Sequence, residues 1–293
     1  MGKSFVSQVV LVDKNTARAE AEAWDISHAF PQGRHDAIIA GDYKDLANAY
    51  LVIVTAGLNR KPGQTRLDLL SANVQIFSEI IPQLLRYAPE TLLLITSNPV
   101  DIMTEVTLRL SGLPPQRVFG SGTVLDSARF RLELAHELRV SPQSIQASVV
   151  GEHGDSEVLV WSGVTVAGIP LEAYANLMGC PMDENVRRKI HENVRDAAAR
   201  IISGKGATFY GIGGILGDIC RNFVLDERCV LTLSTHHNTP TDLCFSSPVI
   251  GGHSGIQKVF SYALAAEESE ALRKSLEVLK EPTELAVELI GKK

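Results

Sequence analysis

In the stretch "VVGEHGDSEV", residues 149–158, a histidine stands between an acid and a glycine just after an apolar run. Imidazole changes its charge near neutral pH, so His153 can take a proton from a hydroxyl or return one to a carbonyl. The plain alternative is a hydrogen-bonded structural histidine. Upstream, "GSGTVLDSARFR" holds Asp126 and Arg129 one helical turn apart, which points both into the same cleft. Asp126 also reads as a helix N-cap, a role compatible with chemistry. Arg129 carries a planar two-pronged donor suited to a substrate carboxylate. In "TAGLNRKPGQTRLDLL", Arg60 and Arg66 bracket Pro62 and Gly63, residues that suit a loop leading into a helix.

These groups need a frame, and the first 140 residues supply an alternating one. Short β-branched runs at 8–13, 36–41, 50–57, 91–96 and 117–120 predict strands, and 15–30, 66–86, a stretch opened by Pro99 and 126–138 predict helices. Continuous apolar strands between helices imply a doubly wound parallel sheet, covered on both faces. After residue 140 the pattern becomes mixed. Strands are expected in "IQASVVGEH", "EVLVWSGVTVAG", "CVLTLST" and "SSPVIGG", with helices over 183–203, around 207–223 and from Glu267. A soft boundary near residue 122 divides a nucleotide-binding half, 1–122, from an α/β substrate half, 123–293.

Ligands of such sheets bind at the carboxyl ends of the strands. There the sequence places Asp13, a carboxylate able to accept from a ribose diol and repel a 2′-phosphate. It also places Thr55, Ala56 and Gly57, small enough for a dinucleotide to cross, and the amide of Asn98. Each residue alone is as well explained as a turn former; their shared location carries the inference.

Composition excludes other classes. With 293 residues, 45% hydrophobic and 21% charged, the chain can bury a large core. A net charge of −6 and no block of basic residues give no footprint for nucleic acid or an anionic membrane. Apolar stretches are far shorter than the ~20 residues that span a bilayer, and no signal pattern opens the chain. Cys180, Cys220, Cys229 and Cys244 show neither a CxxC pair nor metal-ligand spacing, so no metal site and no disulfide framework is expected, and a reduced cytoplasmic setting fits.

The motifs "TAGLNRKPGQTRLDLL", "TSNPVD", "GSGTVLDSARFR", "GEHGDSEV" and "GKGATFYGIG", in this order, resemble the L-lactate/malate dehydrogenase family over nearly the whole chain, in phrasing closest to bacterial lactate dehydrogenases. The resemblance implies NAD as cofactor, a small 2-hydroxy or 2-keto acid as substrate, and a homodimer or homotetramer. It implies His153 as the proton-transfer residue, Asp126 as its partner, Arg129 on the substrate carboxylate, and Arg66 polarising the carbonyl from a mobile loop. Asn98 is implied on both substrate and cofactor. Arg60 departs from the lactate pattern, which has glutamine there; its charge would pair with a second carboxylate, so malate is the expected substrate. Thr208 matches the lactate-type residue on the opposite wall and keeps lactate as the alternative. The phosphate-activated enzymes carry a histidine where this chain has Gln146, although Arg131 is present, so strong activation by a sugar bisphosphate is not expected.

The family begins with a strand and a GxGxxG turn ahead of the strand that ends at Asp13, and the sequence starts after them. The expected sheet therefore lacks its first strand, which would lie between those ending at Asp13 and Ala56, on the order of 25 residues in all. Three readings stay open: a start upstream of Met1, a non-catalytic remnant, and a subunit that survives through partners.

Overall fold

The computed structural model describes residues 5–29, 37–58, 66–238 and 242–291. Strand β1 (Val9–Leu11), helix α1 (Thr16–His28) and strand β2 (Ile38–Ala40) form a strand–helix–strand unit whose strands pair in parallel, Val10 opposite Ile39. Asn15 caps α1 by accepting from the Arg18 amide, which satisfies one of the helix's unpaired donors. The alternation continues through β3 (Leu51–Val54), α2 (Arg66–Tyr87), β4 (Leu92–Ile95), α3 (Val100–Ser111) and β5 (Val118–Gly120), with β3, β4 and β5 parallel.

Every residue of β4 is buried. Its alternate side chains divide between two cores, as the two-residue period of a strand requires. Leu93 and Ile95 pack with Phe77 and Ile81 of α2, Met103 and Val106 of α3, and Leu279 and Ala286 of α8 (Ala266–Gly291). Leu92 and Leu94 face Phe119, Leu233, and Ile219 and Phe223 of α7 (Tyr210–Val224). A third core gathers Phe130, Leu134 and Leu138 of α4 (Val124–Leu138) with Ile190 and Val194 of α6 (Glu184–Lys205). Ile145 of β6 (Ile145–Gln146), Val149 of β7 (Val149–Val150) and Leu171 of α5 (Leu171–Met178) complete it.

Short strands β8 (Val158–Leu159), β9 (Thr165–Val166) and β10 (Ile169–Pro170) fill out this second half. The expected parallel pairing holds for β3 to β5, and the strands that follow add an antiparallel part. Strands β11 (Val230–His237), β12 (Leu243–Gly252) and β13 (Gly255–Val259) run antiparallel and join β5 through Ser234 opposite Gly120. One six-stranded mixed sheet of order β13-β12-β11-β5-β4-β3 results. The strands expected in the substrate half thus extend the nucleotide-binding sheet. At the other end, β1 and β2 pair only with each other among the described residues, separate from β3.

Gly122, between β5 and α4, has φ +52, and a Cβ there would lie 2.5 Å from the Ser234 amide nitrogen. Only glycine lets the chain turn this close to β11. Among the described residues no helix is long and apolar enough to cross a membrane.

Candidate active site

His153 is positioned by β7 and by two attachments that follow it. Gly151 bridges to Ser246 of β12 with a pair of 2.9 Å backbone bonds, and the Glu152 amide donates to Ser275 Oγ of α8 at 2.9 Å. At Gly151 φ is +89 and an added Cβ would meet Ser275 Oγ at 2.6 Å, so the segment passes α8 only as glycine. Helix α4 is fastened to the same strand. The Val149 amide donates to Ser127 Oγ at 2.9 Å, and Thr123 Oγ1 donates to the Val149 carbonyl. Asp126 lies between these two hydroxyls in sequence, which sets it opposite His153.

The result is a chain of three side chains. His153 Nδ1 lies 2.7 Å from Asp126 Oδ2, and Arg129 Nη1 donates to Asp126 Oδ1 at 2.8 Å. Asp126 is 3% exposed, against 27% for the His153 side chain, so the carboxylate is the buried anchor and the imidazole the reachable end. Among the described residues Nε2 of His153 has no hydrogen bond, and Arg129 makes no other.

Two buried acids that the motif reading did not single out complete the surroundings. Asp101 of α3 accepts the His153 backbone N–H at 2.7 Å, and its own proton affinity is pushed up to about 6, chiefly by burial. Glu157 is 5% exposed, and its Oε1 has no hydrogen-bond partner among the described residues. Burial above all, then the charge of Asp126, raises its pKa. The sequence signal for Glu157 was an acid four residues after the histidine; Asp101 sat in plain view in "NPVD".

Burial is the largest influence on His153 and would lower its pKa. The charge and hydrogen bond of Asp126, with Asp101 and Glu157 behind them, outweigh it and bring the imidazole to about 9. With Asp126, Asp101 and Glu157 around it, the folded protein favours the protonated imidazole, a shift upward from the neutral titration expected from the sequence. Asp126 is held below its usual value, because His153 and Arg129 overcome the opposing effect of burial, the largest single cause.

At the carboxyl ends of the strands, Asp13, Thr55, Gly57 and Asn98 are exposed and Ala56 half-buried. Asp13 is also a turn former, its Oδ1 accepting from the Asn15 amide at 2.8 Å. The ends of β3 and β4 are stitched together by Asn73 of α2, which is 1% exposed. Its Oδ1 accepts from the Leu58 amide at 2.9 Å and its Nδ2 donates to the Asn98 carbonyl at 3.0 Å. Asn73 was missed because a polar residue inside an amphipathic helix carries no motif. An exposed carboxylate after β1 and small residues after β3 are of the types that suit a ribose diol and the crossing of a dinucleotide.

Arg66 is the first residue of α2, and its side chain lies outside the described residues. Arg60 lies outside the described residues, and half-buried Thr208 precedes α7 without a hydrogen bond to His153, Asp126 or Arg129. Arg131 Nη1 donates to the Ala147 carbonyl at 3.0 Å, and Gln146 is exposed on β6.

Residues 1–120 match the family model for the lactate/malate dehydrogenase NAD binding domain, and residues 123–290 match the model for its alpha/beta C-terminal domain. The chain belongs to the lactate/malate dehydrogenase family. Its NAD-binding half is therefore the unit that contains β1 to β5, and NAD is the cofactor of this dehydrogenase. Among curated relatives, an L-lactate dehydrogenase of Thermus aquaticus is 50% identical over 278 residues, covering 93% of this chain and 89% of that protein. Another, of Allorhizobium ampelinum, is 49% identical over 280 residues, 94% and 90% of the two chains. The crystal structure of a minor L-lactate dehydrogenase from Enterococcus mundtii superposes with a TM-score of 0.90 at 36% identity, covering 95% of this chain and 90% of that one.

Proposed function

We propose that this dehydrogenase interconverts L-lactate and pyruvate, with the hydrogen-bonded trio His153–Asp126–Arg129 as its reacting centre. The observation that carries the reading is the bare Nε2 of an imidazole whose other nitrogen is locked on Asp126, one helical turn from a guanidinium with donors to spare. NAD supplies the hydride acceptor. His153 Nε2 takes the hydroxyl proton of the hydroxy acid, and in reverse gives it to the carbonyl oxygen of the keto acid. Asp126 holds the ring's orientation and stabilises its cation. Arg129 binds the substrate carboxylate, Arg66 stabilises charge developing on the carbonyl oxygen, and Asn98 and Thr208 line the substrate side. Asp13 would hold the ribose diol, and Thr55, Ala56 and Gly57 would leave room for the dinucleotide.

The substrate assignment revises the malate expectation drawn from Arg60. Relatives at 50% and 49% identity are L-lactate dehydrogenases, and the half-buried Thr208 agrees with them. Arg60 remains the one residue that speaks for a dicarboxylate. Steady-state reduction of pyruvate and oxaloacetate by NADH decides between them. We expect pyruvate to be favoured at least tenfold in kcat/KM; a reversed preference, abolished by Arg60→Gln, would restore malate. A cytoplasmic homodimer or homotetramer belongs to the same reading, supported by the family and by free thiols at all four cysteines, and light scattering tests the assembly.

A further inference from the structure

Away from the reacting centre, three potential metal ligands of different chemistry converge on one buried point. His236 of β11 and Cys244 of β12 are direct cross-strand partners, and Glu105 of α3 reaches between them. Glu105 Oε2 lies 2.9 Å from His236 Nδ1 and 3.1 Å from Cys244 Sγ, and the three atoms all fall within 4.8 Å of one another. Glu105 and His236 side chains are 1% and 8% exposed, and Cys244 is 3% exposed.

We propose that Glu105, His236 and Cys244 form a binding site for one divalent cation of the zinc class. A thiolate, an imidazole and a carboxylate together suit zinc or cobalt and disfavour magnesium or calcium, which take oxygen alone. With bonds of 2.0–2.3 Å, tetrahedral ligand atoms stand about 3.3–3.8 Å apart, so the hydrogen-bond separations seen here need to open by only about half an ångström. The outer groups match such a site. Asp242 Oδ1 lies 3.1 Å from His236 Nε2, the carboxylate-on-histidine arrangement that turns the opposite nitrogen toward a metal. Arg109 spans Glu105 Oε1 at 2.7 Å and Asp242 Oδ2 at 2.6 Å, fixing both carboxylates.

Charge also closes. Glu105, Asp242 and a Cys244 thiolate offset Arg109 and one divalent ion, the protons of Nδ1 and Sγ leaving to solvent as the metal enters. The Asp242 side chain is 54% exposed, so the cluster is one side chain from water and has a way in. Sequence spacing hid the site because Glu105 is 131 residues from His236.

The test is titration of the purified, chelator-treated full chain with cobalt(II), followed by zinc. One equivalent of cobalt should give a sulfur-to-cobalt charge-transfer absorption and the intense visible bands of a four-coordinate ion, both erased by zinc, and zinc should raise Tm. Cys244→Ser should abolish the charge-transfer band. Asp242→Asn, at an exposed side chain, should weaken affinity by ~10–100-fold while leaving pyruvate reduction without added metal unchanged. Absence of stoichiometric binding would overturn the site, leaving a hydrogen-bond network. So would a charge-transfer band that persists in Cys244→Ser, which would place the metal on Cys180, Cys220 or Cys229. If Cys244→Ser does not fold, unchanged affinity in Asp242→Asn alone is sufficient to reject the proposal.

Discussion

At the scale of the residue, the question is where the proton sits. Folded His153 keeps its proton to about 9, against an ordinary value of 6.5, because Asp126 holds it there against the cost of burial. In the proposed role this shift would favour the donor form, the state that reduction of a keto acid requires. kcat/KM for pyruvate reduction should be flat through neutral pH and fall above about 9, and lactate oxidation should rise toward the same pH, which initial rates across a buffer series will check. Asp126→Asn removes the main opposing force to burial. Its profile should break at lower pH, with reduction near pH 8 slowed by roughly 10²–10⁴-fold. The same pair affects stability with a definite sign. A raised folded-state pKa contributes fully below 6.5 and is lost as pH rises to about 9, so Tm should decline across that window by more in wild type than in His153→Asn.

At the scale of the element, the site depends on how α4 is tied to β7. Ser127 Oγ accepts the buried Val149 amide and lies 3.0 Å from Thr232 Oγ1. Ser127→Ala strands that amide, and should cost about 1–3 kcal/mol by urea unfolding. kcat should fall with it, since Asp126 is carried on the loosened turn. Much of this was legible from the sequence. Apolar runs marked β1 to β5 because parallel strands alternate with helices, although of these only β4 and β5 are buried throughout, and Asp126 and Arg129 share a helical turn that spacing alone reveals. Other parts were hidden for physical reasons. The addition of β11 to β5 rests on a single residue pairing, Ser234 with Gly120, which no local pattern encodes. Asp101 and Asn73 work by reaching across elements, and the raised proton affinity of His153 comes from acids 27 and 52 residues away.

At the scale of the whole molecule, stability should be graded across the sheets. β4 and β5 are buried throughout and sit inside the six-stranded sheet, while β1 and β2 pair only with each other among the described residues and are at most half-buried. Amide exchange should accordingly be slowest in β4, β5, β11 and β12 and faster by orders of magnitude in β1 and β2; equal protection would contradict this grading. On the proposed placement of the cofactor at the ends of β1, β3 and β4, NADH would tie the two sheets together. At a hundredfold excess over Kd it should add about 2.7 kcal/mol. If Asp13 holds the ribose diol as proposed, NADPH should add less through repulsion of its 2′-phosphate, and thermal shift with each cofactor reads the difference.

The account turns on one imidazole as the proton carrier of a 2-hydroxy acid dehydrogenase. The direct measurement is NADH-dependent reduction of pyruvate by wild type and by His153→Asn, with both folds checked by circular dichroism. A loss of at least ~100-fold in kcat with the fold intact is the predicted result. Turnover within a few-fold of wild type would contradict it and return His153 to a structural role.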